Sequence, residues 1–291
     1  YKRKTNYHSR ILAEILMDKL QQFYQYLHQE SIEKAMLFYC ALPDSIVVDI
    51  GASTGIFTFP LSEWVGPKGR VYAIEPDFNR IQEIKQKIVD DFKYNNISPF
   101  NLALSNQKGE TPLYLRREGA NYDNALVNFH DELRTSTMVN TRTFDYLILA
   151  LIPSFGSIQL VKIDTEGAEG AIFLGMVQSI SRVQNILFEF SPSVHNLYEG
   201  FKREEIFTYL RKEGFTLYLL HHQLRTLFLL TPETDAAFLT MMVKDFGHFE
   251  NLLAVRDPQS LAPLFQSQIL NHADWFEEIA GLTQDGWIGA W

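Results

Sequence analysis

The stretch Ile46-Val47-Val48-Asp49-Ile50-Gly51-Ala52-Ser53-Thr54-Gly55 runs from apolar residues into an acid, then into two glycines four positions apart. That order predicts a buried strand, a tight turn and the start of a helix. Unbroken apolarity from Ile46 to Val48 suits a parallel strand covered on both faces. Gly51 and Gly55 let the backbone turn sharply and let a ligand come close to it. Asp49 falls at the carboxyl end of the strand, the edge at which open α/β sheets bind ligands.

Composition limits the partners of this turn. A chain of 291 residues with 46% hydrophobic content can build one α/β unit with additions around a large core. The formal net charge of -9 disfavours nucleic acid, because neutralising phosphates needs clustered Lys and Arg. The basic run Lys2-Arg3-Lys4 reads as a solvated terminus. The single Cys40 excludes an intramolecular disulfide and fits a reducing, cytoplasmic setting. No apolar run approaches the length of a membrane helix, and no secretory signal pattern is present, so no membrane partner is expected. The chain opens on Tyr1 rather than Met. The expected context is a homodimer or a parent multidomain biosynthetic enzyme.

On either side of the opening stretch, strands and helices alternate. Residues 8–42 read as helical, with Ile11, Ile15, Leu16, Leu20, Phe23 and Leu27 at helical spacing and a second segment from Ile32 to Leu42. These residues form either a cap over the site or packing against the sheet edge. A helix is expected over 58–65, then a strand at Val71–Ile74 ending in Glu75-Pro76-Asp77, then helical spacing from Phe78 to Tyr94. Asn101–Ser105 reads as a short third strand, Leu113–Leu115 as an accessory edge strand, and 119–143 as a long polar insertion of the kind that forms lids. Ile158–Ile163 and Ile186–Phe190 are further strands, separated by a helix from Glu169 to Ser179. Lys202–Lys212 is helical and capped by Gly214; strands are expected at 215–220, 224–230, 237–243 and 251–256, before a partly helical tail. The expected fold is an α/β, doubly wound, mostly parallel sheet. It divides into a helical extension at 1–42, a core at 43–256 and a tail at 257–291.

The chemistry points to a nucleoside cofactor. A dinucleotide fingerprint wants G-x-G-x-x-G with a pyrophosphate on the helix N-terminus. Here one glycine is missing and Asp49 stands beside the turn, which serves an anion badly and a cation well. S-adenosylmethionine, with its sulfonium and ammonium and no phosphate, fits better than a nicotinamide dinucleotide. Glu75, 24 residues after Gly51, is placed to accept both ribose hydroxyls, although nicotinamide enzymes use an acid there too. A second charged strand end, Lys162-Ile163-Asp164-Thr165-Glu166-Gly167-Ala168-Glu169, lies at the same sheet edge. Unpaired charges do not collect at a strand terminus without cost.

"VVDIGASTGIFT", "VYAIEPD", "NLALSNQKGE" and "LVKIDTEGAEGAIFLGM" follow one another in the order and spacing of the FkbM-type methyltransferases, which this chain resembles over roughly residues 44–220. "KIDTEGAE" is the most specific part, with Thr165 where an aliphatic residue is frequent. The resemblance implies a class I, S-adenosylmethionine-dependent methyltransferase with a seven-stranded-type sheet, acting on a hydroxyl of a small metabolite, sugar or polyketide-type product. By motif position, Asp49, Gly51, Ala52, Thr54 and Gly55 would line the methionine part and Glu75 the ribose. Pro76 and Asp77, with Ala103, Leu104 and Ser105, would flank the adenine. Asp164 and Glu166 would stand between cofactor and acceptor, with Lys162 and Tyr122 as further acceptor contacts.

Methyl transfer to an alcohol also needs a base, since a hydroxyl is barely ionised at neutral pH. His195, just beyond the strand ending at Phe190, titrates in the useful range and is the first candidate. Asp164 and Glu189 are the alternatives. Asp164, Glu166, Glu189 and His195 could offer ligands to a divalent metal such as magnesium, but their spacing carries no dedicated signature and a metal is not favoured. His221-His222 reads as a surface pair. Two rival readings stand beside the methyltransferase: a non-catalytic S-adenosylmethionine-binding protein, and a nicotinamide oxidoreductase that the missing glycine disfavours.

Overall fold

The computed structural model describes residues 2–115, 124–126, 135–152, 156–191, 202–243 and 249–267. Helices α1 (Lys2–Gln29) and α2 (Ile32–Cys40) lead into strand β1 (Ile46–Ile50), helix α3 (Thr58–Val65), β2 (Arg70–Ile74) and α4 (Phe78–Asp90). Strands β3 (Ile97–Phe100), β4 (Ala103–Leu104), β5 (Gly109–Tyr114) and β6 (Ser136–Arg142) follow, then α5 (Phe144–Leu151), β7 (Ile158–Ile163), α6 (Glu169–Leu174) and β8 (Val183–Phe190). The described chain ends with α7 (Arg203–Lys212), β9 (Thr216–His221), β10 (Thr226–Leu230), α8 (Pro232–Val243), β11 (Glu250–Val255) and α9 (Ala262–Gln266).

Eight strands form one sheet in the order β10-β9-β11-β8-β7-β1-β2-β3. The run β3-β2-β1-β7-β8 is parallel throughout; β11 is antiparallel to both β8 and β9, and β10 is antiparallel to β9. The mostly parallel, doubly wound sheet matches the sequence reading, with an eighth strand, β10, added at one edge. Strand order reverses between β1 and β7, so the crevice at their carboxyl ends is the topological switch point. A separate three-stranded sheet, β4-β6-β5, lies beside it.

Side-chain alternation sorts the core into two layers. From β1 and β7, Val48, Ile50, Val161 and Ile163 pack into one layer with Phe144, Ile172 and Phe207 from α5, α6 and α7. Val47 and Leu160 enter the other layer with Phe23, Met36, Leu61 and Ile81 from α1 to α4. Asp49 and Lys162 follow the same alternation and therefore point toward α2, directly opposite one another in the β1–β7 register. Helix α2 is fixed there by a capping hydrogen bond, Lys34 N–H donating to Ser31 Oγ at 3.0 Å, and by burial of Ile32 and Ala35–Cys40.

Several local expectations are corrected. The third strand of the main sheet is Ile97–Phe100 and not 101–105; Ala103 and Leu104 pair with β6 in the small sheet instead. Pro99 disguises β3, and it is tolerated because β3 is an edge strand. The polar stretch 119–143 contains β6, whose pairing with β5 leaves one face in solvent. Residues 237–243 belong to helix α8, not to a strand. Helix α6 stops at Leu174 rather than Ser179, with Gly175 at its end. In α1, Leu20, Phe23 and Leu27 are buried, whereas Ile15 and Leu16 are exposed. His221 is buried, not superficial; it accepts from Leu224 N–H through Nδ1 at 3.1 Å and packs edge-on to Phe228.

Candidate active site

The switch-point crevice opens as a cleft of about 220 Å³ bounded by the ends of β1, β2 and β7 and by β4. Its floor is the turn after β1. Gly51 has φ +77° and Gly55 φ +90°. A Cβ on Gly51 would lie 1.7 Å from the Asp164 carbonyl oxygen, and one on Gly55 would lie 2.3 Å from the Phe59 ring. Both glycines are therefore required by the protein's own close packing, independent of any ligand. Backbone amides of the turn are already engaged: Gly51 and Ala52 N–H donate to Ile74 O at 3.0 and 3.1 Å, and Gly55 N–H donates to Ala52 O at 2.8 Å.

At the end of β2, Glu75 is buried and aims into the cleft. Its carboxylate accepts from Ser53 N–H at 2.9 Å and Asp77 N–H at 2.8 Å. Burial pushes this carboxyl up to about 7, against the pull of those two amides and of nearby Arg80. A carboxylate has about four acceptor positions, so two remain for ligand hydroxyls. Arg80 Nη1 donates to Ser53 Oγ at 3.0 Å, which closes a ring of contacts from the turn through Glu75 to α4. Pro76, Leu102, Ala103, Leu104 and Leu113 form an apolar slot beside it.

The opposite wall is acidic. Asp164, Thr165, Glu166 and Glu189 line it, with Lys162 between them. Glu166 stands at φ +55° ahead of Gly167 at φ +109°, a turn braced by Thr165 N–H and Oγ1 donating to Glu169 Oε1 at 2.9 and 2.8 Å. Lys162 Nζ is buried and donates to Asp164 Oδ2 at 2.8 Å. Its neighbours Asp164, Asp49 and Glu33 hold it protonated despite burial. Glu189 is half-buried, and burial together with Asp164, Glu166 and Glu169 raises its carboxyl well above the ordinary range.

The structure brings most of the sequence-selected residues to this cleft: Gly51, Ala52, Glu75, Pro76, Ala103, Leu104, Lys162, Asp164, Glu166 and Glu189 all line it. Asp49 does not. It is fully buried behind the turn, where Thr58 Oγ1 donates to its Oδ2 at 2.5 Å, and burial raises its carboxyl against the pull of Lys162. Thr54 is exposed, and neither it nor Gly55, Asp77 or Ser105 lines the cleft. Asp77 caps α4, accepting from Asn79 and Arg80 N–H, and also accepts from Asn124 Nδ2 at 2.8 Å. His195 and Tyr122 lie outside the described residues. Sequence reading missed Ser53, Phe57, Arg80 and Asn124. Arg80 was within reach of it, one helical turn past the cap Asp77.

These features fit S-adenosylmethionine. Glu75 would hold the ribose, the apolar slot the adenine, and the acidic wall the cationic methionine end. A pyrophosphate would find the Gly51, Ala52, Ser53 and Gly55 amides already bonded, and four carboxylates around it.

Residues 49–217 match the family model described as "Methyltransferase FkbM domain". A protein of Sulfurisphaera tokodaii named "Probable cobalt-precorrin-6B C(15)-methyltransferase (decarboxylating)" is 35% identical over 83 residues, 28% of this chain and 41% of that one. The matched segment thus spans under half the length of that curated relative. Among solved structures, the methyltransferase FkbM from Methylobacillus flagellatus superposes with a TM-score of 0.43 at 16% identity, over 82% of this chain and 58% of its own. The precorrin-6y C5,15-methyltransferase from Geobacter metallireducens gives 0.39 at 12% identity, over 77% and 87%.

Proposed function

Because the chain belongs to the FkbM methyltransferase family, we propose that its S-adenosylmethionine-dependent reaction methylates a hydroxyl oxygen of a small metabolite, sugar or polyketide-type product, with Glu189 as the base. The observation that carries this reading is the Glu189 carboxyl. It lines the cleft across from Glu75 and, among the described residues, accepts no hydrogen bond from the protein. An acceptor hydroxyl could supply that missing donor.

When bound, the cofactor supplies an electrophilic methyl group on a sulfonium whose leaving group is a neutral thioether. The protein's part is alignment and proton removal. Glu75 and the apolar slot fix the nucleoside end, so that orientation supplies much of the acceleration. Asp164 is held in place by the Lys162 ammonium and leaves Glu189 as the less committed carboxylate. Burial, with Asp164, Glu166 and Glu169 close by, holds the Glu189 carboxyl well above the ordinary carboxylate range, and a more basic carboxylate is a better proton acceptor.

The test is product analysis with S-adenosylmethionine and a panel of hydroxylated sugars and phenols, followed by Glu189→Gln. The expected result is an O-methyl product and a loss of turnover of about 10²–10⁴-fold, the usual worth of a general base. Affinity for S-adenosylhomocysteine should stay within about twofold. A product methylated at carbon would overturn the oxygen reading. Full turnover in Glu189→Gln together with its loss in His195→Ala would move the base to His195.

A further inference from the structure

The family match begins at residue 49, yet the charges behind the cleft include one from before it. Lys162 is 1% exposed and lies 4.6 Å from the Phe57 ring centroid, with Asp164 bonded to it on the cleft side. Asp49 faces it across the β1–β7 register, and its Oδ1 has no hydrogen-bond partner among the described residues. Glu33 stands in the first turn of α2, the helix toward which Asp49 and Lys162 point, close enough to feel Lys162, Asp164 and Asp49 without a direct ion pair to the ammonium. On its own helix, the neighbouring Lys34 is engaged with Glu30. Three carboxylates from three elements thus act on one buried ammonium, Asp164 by direct contact and Asp49 and Glu33 from further off. Only one of them, Asp164, reaches the cleft.

We propose that Glu33 is a positioning residue for the cationic methyl donor: with Asp49 it acts on the Lys162 ammonium from the α2 side, and its ionisation sets how much negative charge Asp164 presents to the cleft. The proposal rests on the methyltransferase reading. When Glu33 is ionised it takes a larger share of the Lys162 charge, and Asp164 is left more negative. A sulfonium donor carries one positive charge more than its thioether product, so the donor gains and the product does not. Helix α2 thereby takes part in separating substrate from product, although it lies outside the family's matched domain. Burial pushes the Glu33 carboxyl up and Lys162 pulls it down, while Asp164 and Asp49 push it up again, to about 7. The discrimination therefore changes across neutral pH.

The experiment is calorimetric titration of the full chain with S-adenosylmethionine and with S-adenosylhomocysteine from pH 6 to 8.5. The ratio of the two dissociation constants cancels Glu75, because both ligands carry the same ribose. In the wild type the preference for the donor should grow by about fivefold or more as pH rises, the lower end of ordinary coupling between sites. Glu33→Gln should lose the part of that rise centred near pH 7, while Glu33→Asp, which keeps a carboxyl, should retain it. The same rise in Glu33→Gln as in the wild type, or no rise in the wild type, overturns the proposal. Should Glu33→Gln not fold, titrations of Glu189→Gln, which removes the other raised carboxyl of the cleft, in two buffers of different ionisation enthalpy decide the matter. Near pH 7, donor binding should release protons that product binding does not, and equal release for both overturns the role. Failure of both ligands to bind would instead sink the methyltransferase reading.

Discussion

Substituting Gly51 by Ala probes the contact that holds the two halves of the cleft together. At φ +77° an L-residue pays about 1–2 kcal/mol for the left-handed backbone. The new Cβ would also sit 1.7 Å from the Asp164 carbonyl oxygen, where real Cβ contacts do not fall below 3.0 Å, so the strands must part by at least 1.3 Å (3.0 − 1.7). The obstacle is backbone and cannot rotate away. Overpacking of this kind costs about 1–3 kcal/mol more, which gives about 2–5 kcal/mol in total. At about 2–4 °C per kcal/mol, the melting temperature should fall by about 4–20 °C. Because the displaced segment carries Asp164, affinity for S-adenosylhomocysteine should fall by about 10²-fold, the effect expected of a 1 Å misplacement. Gly66→Ala is the control: Gly66 has φ +72° but nothing within 4 Å of an added Cβ. With ψ -179° its backbone lies in a region reserved to glycine, so the variant should lose about 2–12 °C and leave the affinity unchanged. Calorimetry and thermal unfolding measure both variants. A Gly51→Ala protein within 2 °C and threefold of the wild type would refute the argument that the turn is pinned against Asp164.

Other substitutions test the electrostatics. Lys162→Met removes the ammonium from between Asp49, Asp164 and Glu33 and should destabilise by about 3–5 kcal/mol, as breaking a buried ion pair does. The stranded carboxyls then bind protons more readily folded than unfolded, so the melting-temperature deficit should widen between pH 6 and pH 8; a deficit independent of pH would contradict the cluster. Glu75, raised by burial to about 7, gives stability that is complete below its ordinary 4.5 and lost as pH rises through 7, an effect of up to about 3 kcal/mol. Thermal scans of ligand-free Glu75→Gln should therefore show a shallower decline from pH 5 to pH 8, flattened only in part because Glu33, Asp49 and Glu189 act in the same direction. The same variant should bind S-adenosylhomocysteine about 10–100-fold more weakly, the worth of hydrogen bonds to a charged group; unchanged affinity would remove Glu75 from the site.

The parallel half of the sheet was legible because its strands are mostly apolar and closed by an acid or a glycine, as in Ile46–Ile50, Arg70–Ile74 and Ile158–Ile163. Strands with one wet face or an edge position were not: β6 reads as polar chain because its side chains stand in solvent, and Pro99 hides β3. Helix α8 was mistaken for a strand because its apolar residues Ala237, Phe238, Leu239 and Met241 cluster rather than space out. At the site, Glu75 and Asp164 could be placed because each ends a strand at the sheet's carboxyl edge. The seat of Asp49 could not, since its side faces α2 by strand alternation and the turn covers it. Glu33 had no signal at all: its neighbours Lys162 and Asp49 meet it through the packing of α2 across β7, which no spacing within the chain records.

The central claim is that the turn after β1, with its Gly51, Ala52, Ser53 and Gly55 amides already bonded, and the acids around it select a cationic nucleoside over a dinucleotide. One calorimetric comparison tests it most directly: titration of the full chain with S-adenosylhomocysteine and with NAD. The account predicts one-to-one binding of S-adenosylhomocysteine, weakened by Glu75→Gln, and no binding of NAD. Binding of NAD with no response to S-adenosylhomocysteine would contradict it.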